Sequence, residues 1–202
     1  MVSVVAISCH PDDVESGCFG TLALYTKKKA DVRILLLTGG ERGGQKEIRL
    51  KAAESACSII GATLAYAGFE DGKLTDDTET VSWIERKIRT VTADIVFAPC
   101  PFDSHQDHRN GGNASISASR KTANVLLYET PTTTDFKPQI YVDIRETLED
   151  KVKAMSMHKS LEKSNLYSEA IRCQAKYRAD QMRLFGGALE TFQVVKWKLT
   201  PS

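Results

Sequence analysis

The stretch VSVVAISCHPDD, residues 2–13, leads from an apolar, β-branched run directly into two adjacent aspartates. Residues 2–8 have the composition of a strand that is buried on both faces, as in a parallel sheet. A helix N-cap or a turn needs a single acidic side chain, whereas this strand end supplies His10, Asp12 and Asp13 together. Two carboxylates and an imidazole at one strand end predict a bound cation, and an N-cap alone is the alternative.

The overall composition is that of an ordinary soluble domain. The chain has 202 residues, 42% of them hydrophobic, and 27 Lys and Arg against 26 Asp and Glu give a net charge of +1. This balance provides no electrostatic reason to expect binding to nucleic acid or to an anionic membrane. No apolar run reaches the roughly 20 residues that span a bilayer. We expect a single domain over residues 1–202.

The start of the chain and its cysteines predict a cytoplasmic protein. The first residues lack a basic segment and run into the predicted strand, so we expect no signal peptide. The cysteines are odd in number and scattered, and no CxxC pair occurs, which is typical of free thiols in a reducing compartment. They are Cys9, Cys18, Cys57, Cys100 and Cys173.

Strand-like and helix-like segments alternate along the chain from that first strand onward. Strands are predicted at 2–8, 32–37, 63–67, 94–98, 125–128, 140–142 and 191–199, and helices at 17–29, 47–60, 81–91, 114–122, 148–157 and 165–182. This order predicts an α/β, Rossmann-like fold with a mostly parallel sheet and helices on both faces. Ligands of such folds bind at the carboxyl ends of the strands. The polar loops after Ile7, Leu37 and Ala98 should therefore converge at one edge of the sheet.

A second cluster of polar residues follows the strand at 94–98. The segment DSHQDHRN contains Asp103, His105, Asp107 and His108. Each histidine alone would be a solvated loop residue, but together with the first cluster they supply the three N and O ligands of a catalytic zinc site. Such a site also needs a base for the attacking water and a donor for the oxyanion. Asp12, beside a ligand, could be the base, and one spare histidine could be the donor.

These motifs resemble those of the LmbE-like / PIG-L family of zinc-dependent N-deacetylases. HPDD after a first strand with a later HxDH is a specific pair, and the likeness covers most of the chain. The opening ISCHPDDVESGCFGTLALY, the block TGGERGG with its following helix, DSHQDHRN, KAMSMHKS and GALETF are each similar to a block of the family.

The resemblance implies a role for each residue of the two main clusters. His10, Asp13 and His108 would bind a zinc ion (Zn²⁺). Asp12 would be the general base, and afterwards the acid that protonates the leaving amine. His105 would be the protonated donor to the tetrahedral oxyanion, and Asp107 would hold His105 in its charged form through a hydrogen bond.

The resemblance also suggests three substrate contacts. Arg42, in the glycine-rich loop 39–44, would lie beside the sugar, although a structural ion pair is equally compatible and the glycines alone could form an anion nest. Asp103 would meet a substrate hydroxyl, with a loop-stabilising Asx turn as the alternative. His158 would lie at the rim of the site or just behind it.

The residues predict a metal-dependent hydrolase, and the family resemblance implies that it uses zinc to remove the N-acetyl group from an N-acetylglucosamine-type small molecule. The family resemblance makes a homotrimer or homohexamer plausible. The sequence is also compatible with two other functions. One is a non-catalytic sugar- or nucleotide-binding α/β domain that uses the glycine-rich loop. The other is a metal-dependent esterase or phosphoesterase that uses the same metal ion.

Overall fold

A computed structural model of the chain describes residues 1–159 and 166–198. Within this part, seven strands form one sheet in the order β3-β2-β1-β4-β5-β7-β6. The strands are β1 Ser3–Ser8, β2 Asp31–Thr38, β3 Thr63–Phe69, β4 Ile95–Pro99, β5 Asn124–Tyr128, β6 Ile140–Asp143 and β7 Leu189–Lys196. The helices are α1 Asp13–Gly17, α2 Phe19–Lys27, α3 Lys46–Ile60, α4 Thr78–Thr90, α5 Gln106–Ala118, α6 Leu148–Ser156 and α7 Leu166–Gln181.

The sheet is mostly parallel, as the sequence predicts. Strands β1 to β5 pair in parallel, whereas β7 runs antiparallel to β5 and β6 antiparallel to β7. Strand β1 lies in the middle, with β2 on one side and β4 on the other. The chain therefore reverses its winding direction at β1, and a crevice opens beyond the carboxyl ends of β1 and β4. The HPDD segment begins at that point.

The two faces of the sheet carry separate hydrophobic cores. On β1, Val4 and Ala6 face one core while Val5 and Ile7 face the other, as the side-chain period of two requires. The first core includes residues of α1, α2, α3 and α6, and the second includes residues of α4 and α5. The predicted α/β, Rossmann-like architecture with helices on both faces is confirmed.

Two of the predicted helices are wrong in their bounds. The helix expected at 17–29 is divided, because α1 ends at Gly17 and α2 begins at Phe19. The helix expected at 114–122 begins at Gln106, eight positions earlier than predicted. His105 is its N-cap, and the Nδ1 atom of His105 accepts a hydrogen bond from the backbone N–H of Asp107. The predicted ends at Asn165 and Leu199 lie outside the described residues.

Two consecutive glycines bring α5 close to the strand ends. A Cβ atom at Gly111 would lie 2.5 Å from the Sγ atom of Cys9, and one at Gly112 would lie 2.7 Å from the carbonyl oxygen of Pro99. Only residues without a side chain allow this approach. The first turn of α5, with His108, therefore lies against the end of β1.

None of the helices in residues 1–159 and 166–198 has the length and apolar character needed to cross a bilayer. All five cysteines are free, and four of them are buried. This state agrees with the prediction of free thiols.

Candidate metal and catalytic site

The structure brings His10, Asp13 and His108 together at the carboxyl end of β1. The Nδ1 atom of His10 lies 3.2 Å from the Nε2 atom of His108. Asp13 Oδ1 lies 3.2 Å from the same Nε2 atom, and Asp13 Oδ2 lies 3.7 Å from His10 Nδ1. All three residues are buried. Two imidazole nitrogens and one carboxylate thus face a common point, although 95 positions or more separate His108 from the other two.

Each of the two histidines has a carboxylate behind its other ring nitrogen. The Nε2 atom of His10 lies 3.1 Å from both Asp71 Oδ1 and Asp107 Oδ2. The Nδ1 atom of His108 lies 3.2 Å from Asp103 Oδ2. Histidines that bind metals commonly donate their second ring N–H to a carboxylate, which fixes the tautomer and the orientation of the ring. This donor set therefore fits a divalent metal ion with N and O ligands.

The electrostatic field at this point also favours a cation. Burial alone would lower the pKa of His10, but Asp107, Asp13 and Asp71 raise that pKa to about 12. Burial likewise opposes the charged form of His108, while Asp13 and Asp103 raise its pKa to about 10. Carboxylates that hold a proton on two buried imidazoles provide the negative charge that a divalent cation requires.

Two other groups of residues place potential ligand atoms within 4.8 Å of one another. One joins His105 to His10 and His108, and the other consists of His10, Asp71 and Asp107. In the second group, both carboxylates already accept hydrogen bonds from backbone N–H groups. Their geometry therefore favours hydrogen bonding to His10 over the binding of a second ion.

Asp12 lies beside the predicted ligands in a strained conformation. Its backbone φ of 125° is unusual for a residue other than glycine, and such strain is concentrated at functional sites. Its Oδ2 atom lies 3.3 Å from the Nη2 atom of Arg49. Burial and the charge of Asp13 raise the pKa of Asp12 to about 7, against the opposing effect of Arg49. A general base works best when its pKa is close to the working pH.

Asp107 does not hydrogen bond to His105 through its carboxylate, so that expectation is wrong. The carboxylate contacts His10 and accepts the backbone N–H groups of Gly72, at 2.7 Å, and Leu74, at 3.2 Å. His105 instead accepts the backbone N–H of Asp107 at Nδ1, at 3.2 Å, which leaves the ring proton on Nε2. Burial and the charges of His10 and His108 lower the pKa of His105. The carboxylate support for a charged His105 that the resemblance implies is therefore absent, and the geometry leaves the Nε2–H of His105 as a donor.

A cavity of about 640 Å³ opens in front of these residues. Arg42 is exposed and lines this cavity, as do Asp12, Asp13, His10, His105 and His108. Asp103 and His158 do not line it, so their predicted role in substrate contact is not supported. Asp103 is 4% exposed, and its Oδ1 atom accepts the backbone N–H of His105 at 2.7 Å, in the Asx turn that is the alternative prediction for this residue. Its Oδ2 atom contacts His108 and the hydroxyls of Thr130 and Thr133.

His158 lies in the protein interior, 1% exposed, where its Nε2 atom is 3.1 Å from the Oε1 atom of Glu15. Glu15 is also buried, at 3% exposed. Burial would lower the pKa of His158, but the charge of Glu15 raises it. The pair connects the residues that follow α6 to α1, the helix that begins at Asp13.

Arg49 and Asp71 are site residues that are not among the predicted ones. Arg49 is 5% exposed and donates to the carbonyl oxygens of Gly40 and Pro11 as well as to Asp12. A signal for Arg49 was present, because it shares one face of α3 with small residues at 52, 53 and 56. Asp71 lies in the polar loop after β3, and no local pattern distinguishes it from its neighbours.

The glycine-rich loop encloses Arg49, and this explains its composition. A Cβ atom at Gly40 would lie 2.6 Å from Arg49 Cζ, and one at Gly43 would lie 2.0 Å from Arg49 Nη1. The loop is therefore built around a guanidinium group of the protein itself. This arrangement disfavours the anion-nest interpretation.

Comparison with known proteins agrees with these motifs. The profile of the PIG-L family, described as GlcNAc-PI de-N-acetylase, matches residues 5–119, more than half of the chain. The chain is 30% identical over 167 residues to the uncharacterized deacetylase YaiS of Escherichia coli K12, which covers 78% of this chain and 90% of that protein. It is 29% identical over 184 residues to diacetylchitobiose deacetylase of Thermococcus kodakarensis, which covers 78% and 69% respectively.

The fold, but not the sequence, is also shared with an enzyme that is named for a different reaction. GalB, the 4-carboxy-2-hydroxymuconate hydratase of Pseudomonas putida KT2440, has a TM-score of 0.87 over 100% of this chain and 99% of its own, at 20% identity. The fold by itself therefore does not identify the reaction. Because the family profile spans both clusters of predicted ligands and two curated deacetylases match along most of the sequence, this chain is an enzyme that belongs to the PIG-L family.

Proposed function

We propose that this enzyme is a zinc-dependent hydrolase that removes the acetyl group from the amine of an N-acetylglucosamine-type small molecule. The observation that carries the proposal is the convergence of His10, Asp13 and His108 at one point, with Asp12 beside them, inside a cavity of about 640 Å³. A cavity of this size suits a small ligand. The family description and the names of the two curated relatives support an acetylated amine as the group that reacts.

Three residues would hold the metal ion, His10 through Nδ1, His108 through Nε2 and Asp13 through its carboxylate. When bound, zinc supplies Lewis acidity that activates water and polarises the amide carbonyl. Asp103 and Asp107 would orient the two imidazoles from behind.

Asp12 and His105 would handle the protons and the developing charge. Asp12 takes a proton from the attacking water and later delivers it to the departing nitrogen. His105 carries its ring proton on Nε2 and lines the cavity, so it can donate a hydrogen bond to the oxyanion. A neutral imidazole suffices for this donation, and Asp107 need not keep His105 charged.

We infer a cytoplasmic location from the five free cysteines. The homotrimer or homohexamer stays a prediction of the family resemblance.

The experiment is acetate release from a panel of N-acetylglucosamine compounds, with O-acetyl and phosphate esters of the same sugar as parallel substrates. The purified enzyme is measured as isolated, after chelation, and after addition of zinc or magnesium. We expect acetate from the N-acetyl substrates, loss of activity on chelation, and recovery with zinc. Full activity after complete metal removal would contradict the metal site, and turnover of the esters alone would favour the esterase.

A non-catalytic binder would release nothing from any substrate. In that case Asp12→Asn would leave the affinity for the sugar unchanged, since binding does not require the base. The proposed hydrolase requires it, so the same variant separates the two functions.

A further inference from the structure

Among the described residues that line the cavity, Arg42 is the cationic side chain left without an acceptor. The other arginine in the wall, Arg49, is 5% exposed, and its Nη atoms contact three oxygens. Arg42 uses its backbone N–H in a hydrogen bond, but in the part of the chain that the structure describes its guanidinium forms no ion pair or hydrogen bond. A positively charged group therefore faces the cavity with its donors free.

The position of Arg42 is fixed by two contacts. Its backbone N–H donates to the Oδ2 atom of Asp71 at 2.8 Å. Its guanidinium lies over Gly72, where a Cβ atom would be only 2.3 Å from Arg42 Cζ. Gly72 has a φ of 78°, so a side chain at this position is disfavoured by the backbone as well. The guanidinium of Arg42 can occupy the space above Gly72 because this residue has no side chain.

These contacts place Arg42 close to the reaction centre but outside it. The backbone N–H of Gly72 donates to Asp107 Oδ2 at 2.7 Å, and that oxygen lies 3.1 Å from His10 Nε2. Arg42 is therefore connected to His10 by short chains of contacts, one through Gly72 and Asp107 and one through Asp71. It can meet the part of a substrate that extends beyond the reacting amide.

The acidic groups near Arg42 already have other partners. Glu41 Oε1 accepts the backbone N–H of Asp71 at 3.0 Å, and Asp71 itself contacts His10 and the backbone of Arg42. A guanidinium offers paired N–H donors that match the oxygens of carboxylates and phosphates.

We propose that Arg42 binds an anionic group, a carboxylate or a phosphate, on the part of the substrate that lies beyond the N-acetylated sugar. This inference deepens the proposed function and rests on it for the identity of the sugar. It makes the natural substrate an acidic conjugate, as opposed to a neutral saccharide.

The test compares three substrates that share the same N-acetylglucosamine. They are the 1-phosphate, the glycoside of a hydroxycarboxylic acid and the neutral methyl glycoside. The measured quantity is the ratio of kcat/KM for each anionic substrate to that for the neutral one. We expect a ratio of about ten or more, which corresponds to about 1.4 kcal/mol, because a hydrogen bond between charged groups stabilises a complex by at least this much.

The variants Arg42→Gln and Arg42→Glu should lower that ratio, the first to about one and the second below one. Lys73→Gln is the matched control, because Lys73 is an exposed cation that pairs with Glu70 and does not line the cavity. It should keep the wild-type ratio. Comparison of the two anionic substrates identifies whether carboxylate or phosphate is preferred. An equal ratio in wild type and Arg42→Gln, or a ratio near one in wild type, would overturn the inference.

A binding measurement keeps this inference separate from the proposed function. Calorimetry on chelator-treated protein compares glucosamine 1-phosphate with methyl glucosaminide, so that no metal ion can hold the anion. Tighter binding of the phosphate by wild type, lost in Arg42→Gln, supports the anionic subsite even if no substrate releases acetate. Acetate release without tighter binding of the phosphate would support the proposed hydrolase but contradict the role of Arg42.

Discussion

The Nε2 atom of His10 lies 3.1 Å from the Oδ2 atom of Asp107, although Asp107 is only two positions from His105 in the sequence. The position of Asp107 in α5 explains why its carboxylate contacts His10 and not His105. In the first turn of α5, the side chain of Asp107 points toward β1, and the backbone N–H of Asp107 satisfies His105. The carboxylate therefore supports a predicted metal ligand.

Replacement of Asp107 by Asn should weaken metal binding. The amide cannot hold the imidazole of His10 as a carboxylate does, and loss of such a partner typically costs about 10- to 100-fold in metal affinity. Competition with a chromophoric chelator measures the zinc affinity of Asp107→Asn against wild type. Asp103→Asn, which removes the carboxylate behind His108, should have an effect of the same kind.

The control for the variants Asp107→Asn and Asp103→Asn is Asp135→Asn, because Asp135 is an exposed residue whose carboxylate pairs with Lys137. It should bind zinc like wild type. An Asp107→Asn variant with unchanged zinc affinity and a lowered kcat would instead indicate that Asp107 acts on His105.

The variant Asp12→Asn should separate catalysis from metal binding. Asparagine is close in size and tolerates a positive φ, so the strained loop should persist. Without a general base, kcat should fall by about 10²- to 10⁴-fold. Elemental analysis of the purified variant should show the zinc content of wild type. Loss of zinc together with activity would assign Asp12 to the ligand set.

Much of the architecture could be predicted because its causes are local. The buried composition of β1 and the alternation of strands and helices predict the parallel sheet, and the sheet in turn predicts that the HPDD and HxDH segments meet. The partners of the side chains depend on tertiary contacts that no local pattern specifies. Because α5 begins at Gln106, the carboxylate of Asp107 contacts His10 and not His105. Asp71 and Arg49 reach the site through loops and a helix face whose orientation the sequence alone does not reveal.

The close packing of α5 should make Gly112 sensitive to substitution. A methyl group there would lie 2.7 Å from the carbonyl oxygen of Pro99, which is backbone and cannot rotate away. Gly112→Ala should therefore destabilise the fold by about 1–3 kcal/mol and displace His108. Urea denaturation and zinc affinity measure the two effects. The neighbouring Asn113→Ala, at an exposed position of the same helix, should change neither. Equal stability of both variants would mean that α5 can shift away from β4 without cost.

The buried pair of His158 and Glu15 should make stability depend on pH. The charge of Glu15 raises the pKa of His158 above its unfolded value of about 6.5, in spite of burial. A histidine whose pKa is raised in the folded state stabilises the fold fully below the unfolded pKa, because both states then bind the proton. That stabilisation is lost as the pH rises through the folded pKa.

The variant Glu15→Gln removes the partner that raises this pKa. The difference in free energy of unfolding between wild type and Glu15→Gln should therefore be largest at pH 6 and decrease steadily toward pH 9. Urea denaturation in the presence of chelator, at each pH, measures this difference without a contribution from bound metal. Glu149→Gln is the control, since Glu149 pairs with Arg172 at the surface, and its difference from wild type should not vary over this range. A difference for Glu15→Gln that stays constant or grows with pH would show that His158 is not held protonated by Glu15.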